Sequence, residues 1–170
     1  MTHAARIADL TTSFTDAMQR MLARIDAATP EQMARVPEGG GWTAAQIAWH
    51  VAATNEAFAG LIDGAIPIAK PAVEGFTETP WSAIASQVPD KLEAPKHLHP
   101  PDAVVTAEAV AKLRASEGRL VKALADLDEA RANMTVKSSV GTRITLYQVA
   151  IWASSHVARH NAQIKRLVGF

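Results

Sequence analysis

TLYQVAIWASSHVARHNAQIKRLVG, residues 145–169, is the stretch that says most about the fold of this chain. Its apolar residues recur three and four apart, which predicts an amphipathic helix, and Thr145 followed by Gln148 is typical of a helix N-terminus. Two positions on the apolar face are histidines, His156 and His160, where a bundle helix would have leucine. Because a buried imidazole needs a partner, this face requires a ligand or hydrogen-bonding groups.

Three further helices are predicted from the same periodicity, over about 7–25, 43–63 and 106–128. Roughly forty residues separate the second helix from the third, which is long for a connection inside one domain. This crossover is rich in proline, at Pro67, Pro71, Pro80, Pro89, Pro95, Pro100 and Pro101. We expect a short helix over Ser82 to Val88 within it. A crossover of this length can run the height of a bundle, so the second and third helices can point the same way.

The composition excludes several classes of function. The 170 residues include 17 basic residues, counted as Lys plus Arg, and 17 acidic ones, counted as Asp plus Glu. The chain therefore lacks the excess of basic residues that is typical of a nucleic-acid-binding protein. There is no cysteine, which excludes disulfides, thiolate nucleophiles and cysteine-ligated zinc. No apolar run is long enough for a signal peptide or a membrane span. We expect one cytoplasmic all-α domain over 1–170, with neither nucleic acid nor membrane as its partner.

A third histidine turns the pair on the last helix into a possible metal site. His156 and His160 are four apart and share one helix face, and His50 lies at the edge of the apolar face of the second helix. Three nitrogen ligands leave a coordination position open, as in catalytic rather than structural metal sites. The alternative is that the histidines lie in the interior and are satisfied by hydrogen bonds to neighbouring groups.

Two motifs resemble those of a known family. The segment WTAAQIAWH, 42–50, resembles the Trp-Ser/Thr-x-x-Glu/Gln-aliphatic-x-x-His signature of the DinB-like (DinB/YfiT) superfamily. The segment HVARHNAQI, 156–164, is similar to that family's closing His-x-x-x-His-x-x-Gln-aliphatic motif. The chain departs from it at Asn161 and Ala162, where many members have Arg-Gly, so no role of those two residues carries over. The resemblance covers essentially the whole chain, although only the two motifs are specific.

The resemblance implies a fold and a function. The fold is a four-helix bundle with up-down-down-up connectivity, in which His50, His156 and His160 hold a divalent metal, Zn²⁺ or Ni²⁺. The function is a thiol-dependent S-transferase or isomerase, or a hydrolase, acting on a small molecule with the help of a low-molecular-weight thiol or of water. Family members often form homodimers. The alternative is a non-catalytic, dimeric, helical metal-binding protein linked to stress.

Three polar residues are candidates for supporting roles. Glu117 falls on the apolar face of the third helix, where it would be a general base beside the metal or would pair with Arg114 or Arg119. Gln46 and Gln163 lie close to ligand histidines in sequence and are candidates for contacting a ligand ring or a metal-bound water. Their alternatives are helix capping for Gln46, which we favour, and surface exposure for Gln163.

Three other residues receive structural interpretations. Trp81 lies in the crossover, and we single it out among the tryptophans as a residue that could cover the site. Helix geometry turns Arg159 about a hundred degrees away from the histidine face, which predicts a surface or interface residue rather than an anion-binding one. His3 is close to the terminus, and we expect it to be disordered.

Overall fold

A computed structural model describes residues 1–87, 93–138 and 140–169, which are mostly helical. The elements in chain order are α1 (His3–Ala27), α2 (Pro30–Ala34), α3 (Ala44–Asp63), α4 (Trp81–Ile84), α5 (Thr106–Ala125), α6 (Glu129–Ala132), β1 (Thr135–Lys137), β2 (Arg143–Thr145) and α7 (Leu146–Val168). The four long helices, α1, α3, α5 and α7, form the predicted all-α bundle. The most extensive packing is between α3 and α5 and between α1 and α7.

Contacts along α1 and α7 show that these two helices are parallel. His3 at the start of α1 bonds to Tyr147 at the start of α7. Arg24 near the end of α1 donates to Asn161 in the later half of α7. The first and last helices of the bundle therefore run in the same direction.

The two central helices are parallel to each other and run against α7. Trp49 of α3 contacts Lys112 of α5, and further along both helices Asp63 pairs with Arg119. His50 packs on His160, whereas Phe58, two turns later in α3, packs on the earlier His156. The connectivity is up-down-down-up, and the crossover carries the chain back over the height of the bundle.

The helix boundaries follow from capping. The Thr43–Gln46 and Thr145–Gln148 pairs form complete capping boxes at the starts of α3 and α7. The third predicted helix is too long, because it ends at Ala125 rather than at Asp128. The Asp128 side chain instead accepts a hydrogen bond from the backbone of Arg131 and so begins the separate helix α6.

The crossover has the short helix that the sequence predicts, although it begins one residue earlier. α4 continues as a 3₁₀ turn, Ala85–Gln87, and the predicted end at Val88 lies outside the described residues. A second 3₁₀ turn, Lys96–Leu98, comes before α5. The strands β1 and β2 form an antiparallel hairpin with Val136 opposite Ile144.

The interior of the bundle is mostly apolar, and its polar exceptions include the buried pair of Asn55 and Ser116 between α3 and α5 and a region between α3 and α7. Each fully buried large side chain contributes about 1.5–3 kcal/mol relative to leaving it exposed. The long helices contribute Phe14, Met18, Met21, Ile47, Ile62, Leu113, Leu120, Leu124 and Tyr147 to this group. Within the described ranges, no helix combines the length and the apolar character needed to cross a bilayer.

Candidate metal centre

The antiparallel packing of α3 on α7 brings three histidines together. His50 lies in the second turn of α3, and His156 and His160 lie on successive turns of α7. Each ring offers one nitrogen, and the three nitrogens all lie within 4.8 Å of one another. His50 is buried, and His156 and His160 are half-buried. The histidines that the sequence placed on two helix faces therefore form one cluster.

The geometry of the cluster fits a single metal ion. The Nε2 atoms of His50 and His156 are 3.2 Å apart. Two nitrogens that bind one zinc ion at about 2.0–2.1 Å, with a tetrahedral angle between them, lie about 3.3–3.4 Å apart. The measured separation is close to this value, so the two rings need little movement to share an ion. Three imidazoles with no carboxylate are also a donor set that suits Zn²⁺ and Ni²⁺.

Two of the three rings are oriented by hydrogen bonds on their outer nitrogens. Nδ1 of His50 donates to the carbonyl oxygen of Leu98 at 2.8 Å. Nδ1 of His160 donates to Oε1 of Gln163 at 2.9 Å. With the proton held on Nδ1, the lone pair of each ring is on Nε2, which faces the cluster. Nδ1 of His156 is buried and has no such partner within the described part of the chain.

Burial keeps all three rings neutral at physiological pH. Loss of hydration is the largest cause that lowers the pKa of His50, and it lowers the pKa of His156 well below the ordinary value. The same loss, with the charge of neighbouring groups, lowers the pKa of His160 to about 4. A metal ligand must have a free lone pair, and these rings have no proton to release before they bind an ion.

The cluster opens into a cavity of about 760 Å³, which is large enough for a small molecule. Its wall is formed by α3, α7, the hairpin and the crossover. Among the residues that the structure describes, those that line it besides the histidines are Trp42, Thr54, Ala57, Phe58, Leu61, Ala85, Glu93, Ala94, Pro95, Leu98, Val136, Lys137, Ser138, Ile144, Val149, Trp152, Ser155, Arg159, Gln163 and Arg166.

The comparison with known families agrees with this arrangement. The sequence model of the DinB superfamily matches residues 13–164, which include both histidine motifs. The chain belongs to the DinB superfamily. No curated protein matches the chain.

Of the polar candidates in this DinB-superfamily chain, the structure brings only Gln163 to the cluster. The Gln46 side chain caps α3 and donates to the carbonyl oxygens of Pro101 and Asp102, so it orients the crossover rather than a ligand ring. Glu117 is half-buried on α5 and does not line the cavity. Burial raises the pKa of Glu117, and the charge of Arg114 partly offsets this. The structure therefore gives Glu117 no position for general-base catalysis at the cluster.

Two interpretations of single side chains need correction. Trp81 does not line the cavity, because its ring packs against Tyr147 and Arg6 while its Nε1 donates to Glu78. His3 is not disordered: it lies in α1, where Tyr147 donates to its Nδ1 at 2.6 Å and its Nε2 donates to the Leu127 carbonyl oxygen. Both residues stabilise the end of the bundle where α1 and α7 begin.

The cavity also includes Arg159, which was expected at a surface or an interface. Arg159 is half-buried and lines the cavity beside the histidines, because the cavity extends around α7 beyond the face that the histidines share.

The carbonyl group of Leu98 was missed at the sequence level, and no signal could have found it, since every residue has a carbonyl group. Trp42, by contrast, precedes the cap of α3 in the family motif, and its ring packs on His50 at 4.8 Å.

Proposed function

We propose that this protein is a metal-dependent enzyme that binds Zn²⁺ or Ni²⁺ through His50, His156 and His160. In this proposal a low-molecular-weight thiol is activated for attack on an electrophilic small molecule, and hydrolysis by water is the close variant. One observation carries the proposal: the three nitrogens meet at the wall of a cavity instead of inside a closed core. Three protein ligands beside open space are typical of catalytic metal sites.

The ligand set explains why such a site would be reactive. A divalent ion bound there supplies Lewis acidity, which makes a thiol or a water a usable nucleophile near neutral pH. None of the three ligands is a carboxylate, so the protein ligands leave the charge of the ion uncompensated. The hydrogen bonds that His50 and His160 donate to Leu98 and Gln163 fix the direction of two lone pairs before an ion arrives.

The cavity wall supports chemistry on a small organic molecule. Phe58, Leu61 and Trp152 present apolar surface next to the histidines. An apolar wall keeps bulk water away from a reacting pair, which strengthens electrostatic interactions and limits side reactions. Ser155 and Thr54 also line the cavity, and the Thr54 hydroxyl is already used in a bond to the His50 carbonyl oxygen.

The experiment is a turnover screen with protein that carries no histidine tag. Metal content is measured after purification, and Zn²⁺- and Ni²⁺-loaded samples are then assayed with electrophiles, with several cellular thiols and with water alone. We expect bound metal and thiol-dependent turnover, both lost in His156→Ala. His97→Ala is the matched control, because His97 is exposed on the crossover and outside the cluster.

Two outcomes would overturn the proposal. Bound metal without turnover over a broad panel would favour a non-catalytic metal-binding protein. Absence of bound metal, with no change in melting temperature on adding either ion, would favour histidines that are satisfied by hydrogen bonds alone.

A further inference from the structure

The cavity beside the metal centre has a net positive lining. Among the described residues that line it, three are cationic, Lys137, Arg159 and Arg166, and one, Glu93, carries a carboxylate. A histidine ring is either neutral or cationic, so the three imidazoles add no negative charge. A bound divalent ion would increase the positive charge further. Such a cavity attracts anions and disfavours cations.

The cations lie at different depths. Arg159 is half-buried and directly precedes His160, and its charge helps to lower the pKa of both His156 and His160. Arg166 is exposed and lies two helical turns beyond Arg159, about 10.5 Å along the axis. Lys137 is exposed at the end of β1. Arg159 is therefore the cation next to the reacting centre, and the other two are at the rim.

Away from Arg159, towards the start of α7, the cavity wall is largely apolar. Phe58 and Leu61 contribute to the wall from α3, and Val149 and Trp152 contribute from α7. A small inorganic anion would leave this surface in contact with water. A ligand with an apolar body and one charged group would cover it and pair with the guanidinium group at the same time.

We propose that the ligand of this metal centre is an organic carboxylate whose charged group pairs with Arg159 while its apolar body lies against Phe58 and Trp152. The planar fork of a guanidinium group matches a carboxylate in two parallel hydrogen bonds. The mostly apolar wall is a poor host for a doubly charged phosphate ester. This inference rests on the proposed function, because it assigns the class of ligand for the same site.

The test compares ligands that differ in charge at one end only. Co²⁺-loaded protein is titrated with ω-mercaptohexanoate, with the matching ω-mercaptohexanamide and with the matching phosphate ester. Calorimetry gives each dissociation constant, and the thiolate-to-cobalt absorption band reports separately whether sulfur has reached the metal. We expect the carboxylate to bind about 10- to 100-fold more tightly than the amide, the range for a hydrogen bond to a charged group.

Variants locate the origin of that preference. Arg159→Gln is expected to abolish it, and Arg159→Lys, which keeps the charge and loses the fork, to retain part of it. Arg20→Gln is the control, because Arg20 is exposed on α1 and does not line the cavity. Unchanged Co²⁺ affinity in Arg159→Gln shows that the variant is folded and that its metal site is intact.

The outcomes separate this inference from the proposed function. Equal affinity for carboxylate and amide, or a preference that persists in Arg159→Gln because the carboxylate binds the metal itself, overturns the inference. Tighter binding of the phosphate ester overturns the carboxylate class. Absence of the sulfur band contradicts thiol activation, whereas a carboxylate preference that depends on Arg159 supports the inference with or without that band.

Discussion

The carbonyl oxygen of Leu98 accepts a hydrogen bond from Nδ1 of His50 across 2.8 Å, although the two residues are 48 apart in the chain. Leu98 ends the 3₁₀ turn that closes the crossover, and the same residue lines the cavity. The crossover therefore does more than connect two parallel helices, because its backbone selects the tautomer of one histidine of the candidate metal centre. A backbone acceptor of this kind is insensitive to the side chain at its own position.

Gln163→Leu should weaken metal binding about 10- to 100-fold, the range found when a partner of a ligand histidine is removed. The substitution deletes the acceptor for Nδ1 of His160 and leaves that nitrogen without its present bond. Competition with a chelator gives the dissociation constant. Gln163→Glu retains an acceptor and should bind at least as well as the parent. Gln19→Leu, at an exposed position of α1, is the control, and equal losses in both leucine variants would contradict the orienting role of Gln163.

Metal should raise the melting temperature of the protein in proportion to the logarithm of its concentration. An ion present at a hundred times its dissociation constant stabilises the folded state by about 2.7 kcal/mol. For a chain of this size, that corresponds to roughly 5–10 °C. Differential scanning calorimetry with Zn²⁺ and Ni²⁺ measures the shift. The shift in melting temperature should vanish in His156→Ala and persist in His97→Ala. A shift that survives the loss of His156 would place the ion elsewhere.

The metal-free protein should lose stability as the pH falls from about 6.5 towards 4. Burial lowers the pKa of His160 to about 4, whereas an unfolded histidine titrates near 6.5. In that interval His160 binds a proton in the unfolded chain but not in the folded chain. The contribution of the neutral histidine to the free energy of unfolding is therefore fully present above pH 6.5. As the pH falls below that value, it is lost at up to about 1.4 kcal/mol per pH unit for each such histidine.

Urea unfolding at several pH values, with a chelator present, measures that slope. His160→Gln removes the titrating ring and should flatten the dependence, while the carboxylates that titrate in the same range contribute equally to both proteins. The same slope in the variant and in the parent would show that His160 is not the source.

Tyr147→Phe should destabilise the protein by about 0.5–1.5 kcal/mol without changing metal affinity. The substitution removes the hydroxyl that donates to His3 and keeps the ring that packs between Arg6 and Trp81. Tyr147 lies nine residues before His156, about 13.5 Å along α7, so the metal centre should not be affected. Unfolding curves measure the loss of stability, and a metal titration of the same sample checks that the metal affinity is unchanged. A large change in metal affinity would mean that the two ends of the bundle are coupled.

Gln46 and Gln163 show how far the sequence could predict this site. Both glutamines lie within four residues of a ligand histidine, so spacing alone made both of them candidates. Gln46 lies in the first turn of α3 and is used by the capping box of Thr43, whereas Gln163 lies five residues before the end of α7, where no capping box uses its side chain. The capping signal was readable for Gln46, but the contact between Gln163 and His160 depends on side-chain directions that spacing does not fix.

Glu117 and Arg159 show what the position of a residue on a helix face does not predict. Glu117 had two interpretations, a general base beside the metal or a partner of Arg114 or Arg119, and Arg159 was expected at a surface or an interface. A helix face predicts what lies towards the core, but it does not say which part of the core is open. The cavity lies between α3, α7, the hairpin and the crossover, so it includes Arg159 and leaves out Glu117.

The sequence alone determined the four long helices, two of their capping boxes and the two faces that hold the histidines, because periodicity and capping are local properties of the chain. Tertiary structure decided that these faces meet 3.2 Å apart at Nε2 of His50 and His156, that a backbone carbonyl orients one ring, and that Arg159 borders the cavity. Those relationships depend on the path of the crossover between two parallel helices. The sequence of the crossover has no periodic pattern from which that path could be predicted.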